Sequence, residues 1–196
     1  MNWEEAIKFY DIPKRYHQAK LETATLLPKE AIDLGIRWLR APVKPSLFLQ
    51  GNAGSGKTYF LISLLRHLVD SKGPYVCYQK SEKMDRELLD VSMGRLFNPY
   101  GYQVHESQLI DRFTQADILF VDDIGTEGDN DRTRKQYYTI IDERVSNQMP
   151  TVYTSNLTLE QIGKTLGDRI ASRIGCSYIF EFPAVDLRRK IELPMI

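Results

Sequence analysis

At 196 residues, with 42% hydrophobic and 27% charged residues, the chain can bury one full-sized core but not two. Its 26 basic and 26 acidic side chains cancel, so composition carries no footprint of a strongly basic nucleic-acid binder, and any contact with DNA must be local. The longest apolar stretches, such as Phe60 to Leu65, end at charged or polar residues (Arg66, His67), which excludes a membrane-spanning helix; Glu4 and Glu5 replace the basic head of a secretory signal, so the cytoplasm is the expected location.

In chain order, residues 1–40 read as a short helix, a loop at Ile12-Pro13 and a second helix from about Pro28. From about Pro45, apolar segments of strand length alternate with helical patterns, the mark of a parallel α/β sheet. The predicted strands are 46–50, 75–79, 117–122, 151–155 and 177–182, each short and mostly apolar, as strands covered on both faces should be. Phe60, Leu61, Leu64, Leu65 and Leu68 share one helical face after a glycine-rich loop. A further helix is predicted from Thr158, whose hydroxyl caps the first turn while Gln161 reaches back. Ile162, Leu166, Ile170 and Ile174 form its buried stripe, and Arg169 and Arg173 lie four apart beside it. Only 14 residues follow Phe182, too few for a lid domain. The expected organisation is one domain: a helical segment 1–40, a core 41–182 and a short tail 183–196. Cys77 and Cys176 belong to no CxxC or Cys/His cluster and are expected to be small core residues.

The segment Gly51-Asn52-Ala53-Gly54-Ser55-Gly56-Lys57-Thr58 matches the P-loop pattern in full, with an apolar strand before it and, from Tyr59, an amphipathic helix after it. Its glycines let backbone N–H groups converge on phosphate oxygens at a positive helix end. Lys57 is placed for the β- and γ-phosphates of ATP and Thr58 for Mg²⁺. The strand Ile118 to Val121 ends in Asp122-Asp123, and two adjacent acids there need counter-charge. Mg²⁺ supplies it for Asp122, which leaves Asp123 to polarise a water against the γ-phosphate. Asn156, after the fourth predicted strand, fits two readings evenly: an amide holding that water, or a strand-to-helix turn residue. Arg169, Arg173 and Arg188 are equally open, since an arginine on a helix face is usually a solvated charge.

Together these residues resemble the AAA+ ATPases of the bacterial helicase-loader group, the DnaC and DnaI type, and their relative IstB, the ATPase helper of a transposase. The resemblance rests on Ile12-Pro13-Lys14-Arg15-Tyr16, on 51–58, on Asp122-Asp123-Ile124-Gly125, on Thr154-Ser155-Asn156-Leu157, on Gly167-Asp168-Arg169-Ile170-Ala171-Ser172-Arg173, and on Phe182 followed by Arg188. It implies a RecA-like three-layer sandwich with a five-stranded parallel sheet and slow ATP hydrolysis. It also implies that Asn156 is the sensor-1 residue, Arg173 an arginine finger given to a neighbouring subunit, and Arg188 a sensor-2-like arginine, with Ile12 and Tyr16 over the nucleotide base. An arginine acting in trans implies a homo-oligomer. In this group ATP-bound subunits form a spiral around single-stranded DNA, for which Lys80, Lys83 and Arg86 are candidate backbone contacts; a solvated helix face explains these three equally well.

Two departures bear on the partner and the rate. Members usually carry an additional N-terminal domain that grips the replicative helicase, whereas only Met1 to Asp11 precede the shared core here. The first helix, with Trp3, Ile7, Phe9 and Tyr10, is then a possible apolar contact for a helicase or another replication or transposition protein. Many AAA+ proteins have Glu where Asp123 stands, and the shorter side chain points to slow turnover. Two other classes compete. A small P-loop kinase is disfavoured because no arginine-rich lid or acceptor-binding acid follows the first P-loop helix. The other is a nucleotide-gated assembly protein with negligible turnover.

Overall fold

The computed structural model describes residues 1–125 and 131–190. Five strands, β1 (Leu47–Gln50), β2 (Val76–Lys80), β3 (Ile118–Asp122), β4 (Thr151–Ser155) and β5 (Tyr178–Glu181), form one parallel sheet in the order β2-β3-β4-β1-β5. Alternation along the strands sends Leu47, Leu49, Val76, Tyr78, Ile118, Phe120 and Val152 into one core and Phe48, Cys77, Leu119, Val121 and Tyr153 into the other. Helices α1 (Trp3–Phe9), α2 (Lys29–Arg40) and α3 (Lys57–Asp70) cover the first face. The second is covered by α4 (Ser81–Ser92), α5 (Glu106–Thr114), α6 (Asp131–Ser146), α7 (Leu159–Leu166) and α8 (Asp168–Ile174). The result is the expected three-layer sandwich of a P-loop NTPase. The route from β1 through α3 to β2 passes over β4 and β3, so the strand order switches beside β1 and the carboxyl ends of β1, β3 and β4 open on a common crevice.

Local chemistry explains the helix starts. Asn2 accepts from the Glu5 amide and Glu5 from the Asn2 amide, both at 2.9 Å, closing a capping box on α1. The predicted box at Thr158 and Gln161 opens α7 (2.9 and 3.3 Å). The helix expected to run through to Ile174 is instead two, because Gly167 at φ +104° breaks it. The stripe Ile162, Leu166, Ile170, Ile174 is nevertheless buried throughout.

Three further expectations are corrected. Trp3, Ile7 and Tyr10 are buried, leaving only Phe9 of the four apolar residues exposed. The Tyr10 hydroxyl donates to the Val76 carbonyl on the sheet edge (2.6 Å), and the Trp3 indole donates to the His17 carbonyl (2.9 Å), so α1 closes the core rather than presenting an apolar face. Cys176 is exposed at the end of α8, while Cys77 is buried as expected. The fifth strand is an edge strand with Tyr178 and Ile179 exposed, not a doubly covered one. After β5, residues Leu187–Lys190 make a single 3-10 turn, and the tail beyond Lys190 lies outside the described residues. Among the described residues no helix is long and apolar enough to cross a membrane.

Candidate nucleotide site

The crevice at the strand ends is a cavity of about 460 Å³, within the range of small-molecule sites. Its floor is the loop between β1 and α3. Gly54 and Gly56 hold φ of +84° and +101°, and a side chain at Gly56 would meet Leu27 at 2.6 Å, so both the turn and the close approach demand glycine. The first intrahelical bond of α3 runs from the Phe60 amide to the Gly56 carbonyl (2.9 Å). The amides of Lys57, Thr58 and Tyr59 precede it and form the positive end of the helix.

Lys57 is nearly buried, and its ammonium donates to the carbonyls of Gly51 (2.8 Å) and Asn52 (2.9 Å) and to Asn156 Oδ1 (2.9 Å). Burial pulls its pKa down, opposed by Asp123 and Asp122. All three of these acceptors are neutral, so an anionic phosphate oxygen is a stronger partner for the same donors. Asp122, at the end of β3, is buried and accepts from Thr58 (2.9 Å) and Thr154 (2.7 Å) through Oδ1 and from Tyr78 (3.4 Å) through Oδ2. Burial, then the neighbouring Asp123, push its pKa up, while the two threonine hydroxyls hold it down. Asp123 follows at φ +63° and accepts from the Asn156 side chain (3.3 Å).

The structure therefore brings Lys57, Thr58, Asp122, Asp123 and Asn156 together, and Ala53, Gly54, Gly56, Tyr59, Tyr16 and Arg188 line the same cavity. Gly51, Asn52 and Ser55 support it from behind: the first two line an adjacent cleft, and Ser55 is buried. Ile12 is not there. It is buried in the core, and the wall expected from it is built by Tyr16 and the segment Thr23 to Leu27, with Leu26 55% exposed at the rim. No motif marked that segment; its position follows from the 3-10 turn Leu21–Thr23 packing against α2 and α3. Lys80, one of the candidate DNA contacts, is exposed, and its register opposite Asp122 places it at the cavity with Glu82. Lys83 is exposed on α4, and Arg86 pairs with Glu82 (3.0 Å). Arg169 is exposed on α8; Arg173, on the same helix, lies outside the cavity lining and pairs with Asp142 of α6 (2.6 Å).

The donor set suits Mg²⁺. Among the described residues no three His, Cys, Asp or Glu side chains are grouped to hold a metal alone. Thr58 and Asp122 offer hard oxygens only, the sparse protein contribution typical of an ion that completes its shell with phosphates and water. The raised pKa of Asp122 marks a carboxylate whose charge lacks full compensation within the fold.

Comparison with known proteins agrees with this geometry. The chromosomal replication initiator DnaA of Geobacter sulfurreducens is 27% identical over 148 residues, covering 75% of this chain and 31% of that protein. The chain thus spans about a third of the length of the curated relatives it matches. Among solved structures, DnaI superposes with a TM-score of 0.73 at 22% identity, covering 89% of this chain and 96% of that one. The DnaC helicase loader gives 0.73 at 20% identity, covering 87% and 100%. These likenesses carry the fold, that of AAA+ proteins. The family model described as IstB-like ATP binding protein matches residues 34–174, from α2 through α8, and the chain belongs to that family.

Proposed function

We propose that this protein is a slow ATPase of the replicative-helicase-loader type, which uses its nucleotide state to control assembly on single-stranded DNA and contact with a helicase. The observation that carries the ATPase reading is the convergence of Lys57, Thr58, Asp122, Asp123 and Asn156 at one cavity. Lys57 and the first amides of α3 bind the β- and γ-phosphates. Thr58 and Asp122 hold Mg²⁺, which when bound offsets charge on the phosphates. Asp123 accepts the proton of the attacking water, and Asn156, bonded to both Lys57 and Asp123, fixes the line between phosphate and water. Arg188 approaches the phosphates from the C-terminal turn, which the Leu187 amide ties to the Gly54 carbonyl (3.0 Å). The family membership supports ATP as the ligand, and the fold shared with DnaC and DnaI supports the loader setting. A second reading, a transposition helper, is favoured by the IstB-like family match itself. Phosphate release measured with and without single-stranded DNA tests the proposal: slow turnover that responds to DNA supports it, and phosphate transfer to an added acceptor with no DNA response overturns it. Capture of the replicative helicase from the same cell separates the loader from the transposition reading.

Asp122→Asn keeps an oxygen for the Thr58 and Thr154 hydroxyls but removes the charge. In the nucleotide-free protein the folded state holds the Asp122 proton more tightly than the unfolded chain does, so stability falls as pH rises from the ordinary 3.8 through the raised value. The variant is expected to lack that fall and to melt higher at neutral pH without nucleotide. Its Mg²⁺-dependent ATP affinity should drop by about 10–100-fold, read as loss of the thermal shift on adding Mg²⁺ and ATP. A wild-type-sized shift removes Asp122 from the metal site.

Arg173 pairs with Asp142 of its own chain, outside the cavity it is proposed to complete in a neighbour. Arg173→Ala should cost about 10³-fold in turnover while nucleotide affinity stays unchanged. Mixing it with a Lys57→Ala protein should recover activity, because intact P-loops then meet intact arginines. Equal loss of nucleotide affinity in the isolated monomer sinks the trans role.

A further inference from the structure

Asp122 and Asp123 are both tied to a residue that neither the P-loop nor the carboxylate pair includes. Thr154, fully buried on β4, donates its single hydroxyl proton to Asp122 Oδ1 (2.7 Å) and accepts from the Asp123 amide (2.8 Å) on the same oxygen. Its carbonyl accepts from the Ile124 amide (2.8 Å). Three consecutive residues, the last of β3 and the two after it, are thus pinned to one residue of the neighbouring strand.

The middle one needs it most. Asp123 sits at φ +63°, a left-handed conformation that is strained for a non-glycine residue and persists only where surrounding bonds impose it. Because a hydroxyl has one proton, the direction of both bonds is determined: Thr154 gives its proton to the carboxylate and must then accept from the amide. The arrangement aims the Asp123 side chain at Asn156 rather than away from the cavity.

We propose that Thr154 is the positioning residue of this ATPase site, setting the orientation of Asp122 and the backbone turn that presents Asp123 to water. This rests on the hydrolytic reading above. Thr154 touches no substrate; it acts through the two carboxylates. Serine keeps the hydroxyl, and valine keeps the shape without it.

Three proteins, wild type, Thr154→Ser and Thr154→Val, are compared in two measurements. The first is hydrogen exchange at the Asp123 amide in nucleotide-free protein, which is independent of any activity. Protection is expected in wild type and the serine variant and its loss in the valine variant; equal protection in all three overturns the inference. The second is turnover against nucleotide affinity. Loss of a buried bond to a charged group predicts that valine lowers kcat by about 10–100-fold with affinity for ATP changed less than about threefold, and that serine restores kcat. A valine variant with wild-type kcat overturns the positioning role. A variant that loses affinity and kcat together also overturns it, because a general weakening of the site explains that result. If wild-type protein shows the exchange pattern but no hydrolysis, the ATPase reading fails while the hydrogen-bond assignment stands.

Discussion

Lys57→Ala is expected to lower ATP affinity by about 10²–10³-fold, with turnover falling below detection. The lysine is the buried cation in the side-chain hydrogen bonds that hold the cavity together: it bonds Asn156, which bonds Asp123, while Thr58 bonds Asp122. Removing it takes away the buried ammonium that bridges to Asp123 through Asn156, and leaves Lys80 and Arg188 as more exposed cations beside the two carboxylates when a polyphosphate arrives. Burial has already stripped the ammonium of much of its water, so its attraction for phosphate is not spent on desolvation at the moment of binding. The carbonyls of Gly51 and Asn52 lose a donor in the variant but line an open cleft where water replaces it, so the fold should survive. Calorimetric titration with ATP and a thermal melt without it check both halves. Unchanged nucleotide affinity in a folded variant contradicts the assignment of the site at its base.

The parts of this site that were legible in the sequence are those where neighbours in the chain are neighbours in space. The loop from Gly51 to Thr58 is local, and its strand and helix announce themselves by apolar run and periodicity. The Asp122-Asp123 pair is visible because charges rarely end a buried strand. What stayed hidden depends on register between strands. Thr154 and Tyr78 reach Asp122 only because β4 and β2 flank β3, and nothing in Thr151 to Ser155 distinguishes one hydroxyl from the next. The place of Lys80 opposite Asp122, at the rim of the cavity, is likewise a pairing fact that its position in the chain does not show. The break at Gly167 was concealed by the stripe of four-residue steps that runs straight through it, so periodicity saw one helix. At the N-terminus a signal was present: Trp3, Ile7 and Tyr10 follow helical spacing, and that stripe alone argued for burial.

Arg144→Ala should destabilise the fold by about 4 kcal/mol or more, the largest stability loss among these substitutions. The arginine on α6 is 1% exposed, and every partner of its guanidinium is neutral. It donates to the carbonyls of Phe113 (2.8 Å), Thr114 (3.1 Å), Ala116 (2.8 Å) and Pro150 (2.7 Å) and to Thr151 Oγ1 (2.9 Å). Two of these carbonyls close the C-terminal end of α5, where helix geometry leaves acceptors without partners and the dipole favours a cation. The others lie at the entries to β3 and β4, so one side chain ties α5, α6 and the starts of both central strands. Burial lowers its pKa to about 10, which leaves it charged at neutral pH. Alanine would leave a cavity and several buried acceptors unpaired. Lysine keeps the charge but offers three donors from one point and should recover only part of the loss. Denaturant unfolding of the three proteins measures this directly. Because Arg144 acts at the opposite ends of β3 and β4 from Asp122 and Asn156, the folded fraction of each variant should bind ATP with wild-type affinity. A melt within about 1 °C of wild type would show that water replaces the guanidinium and that the five bonds contribute nothing net.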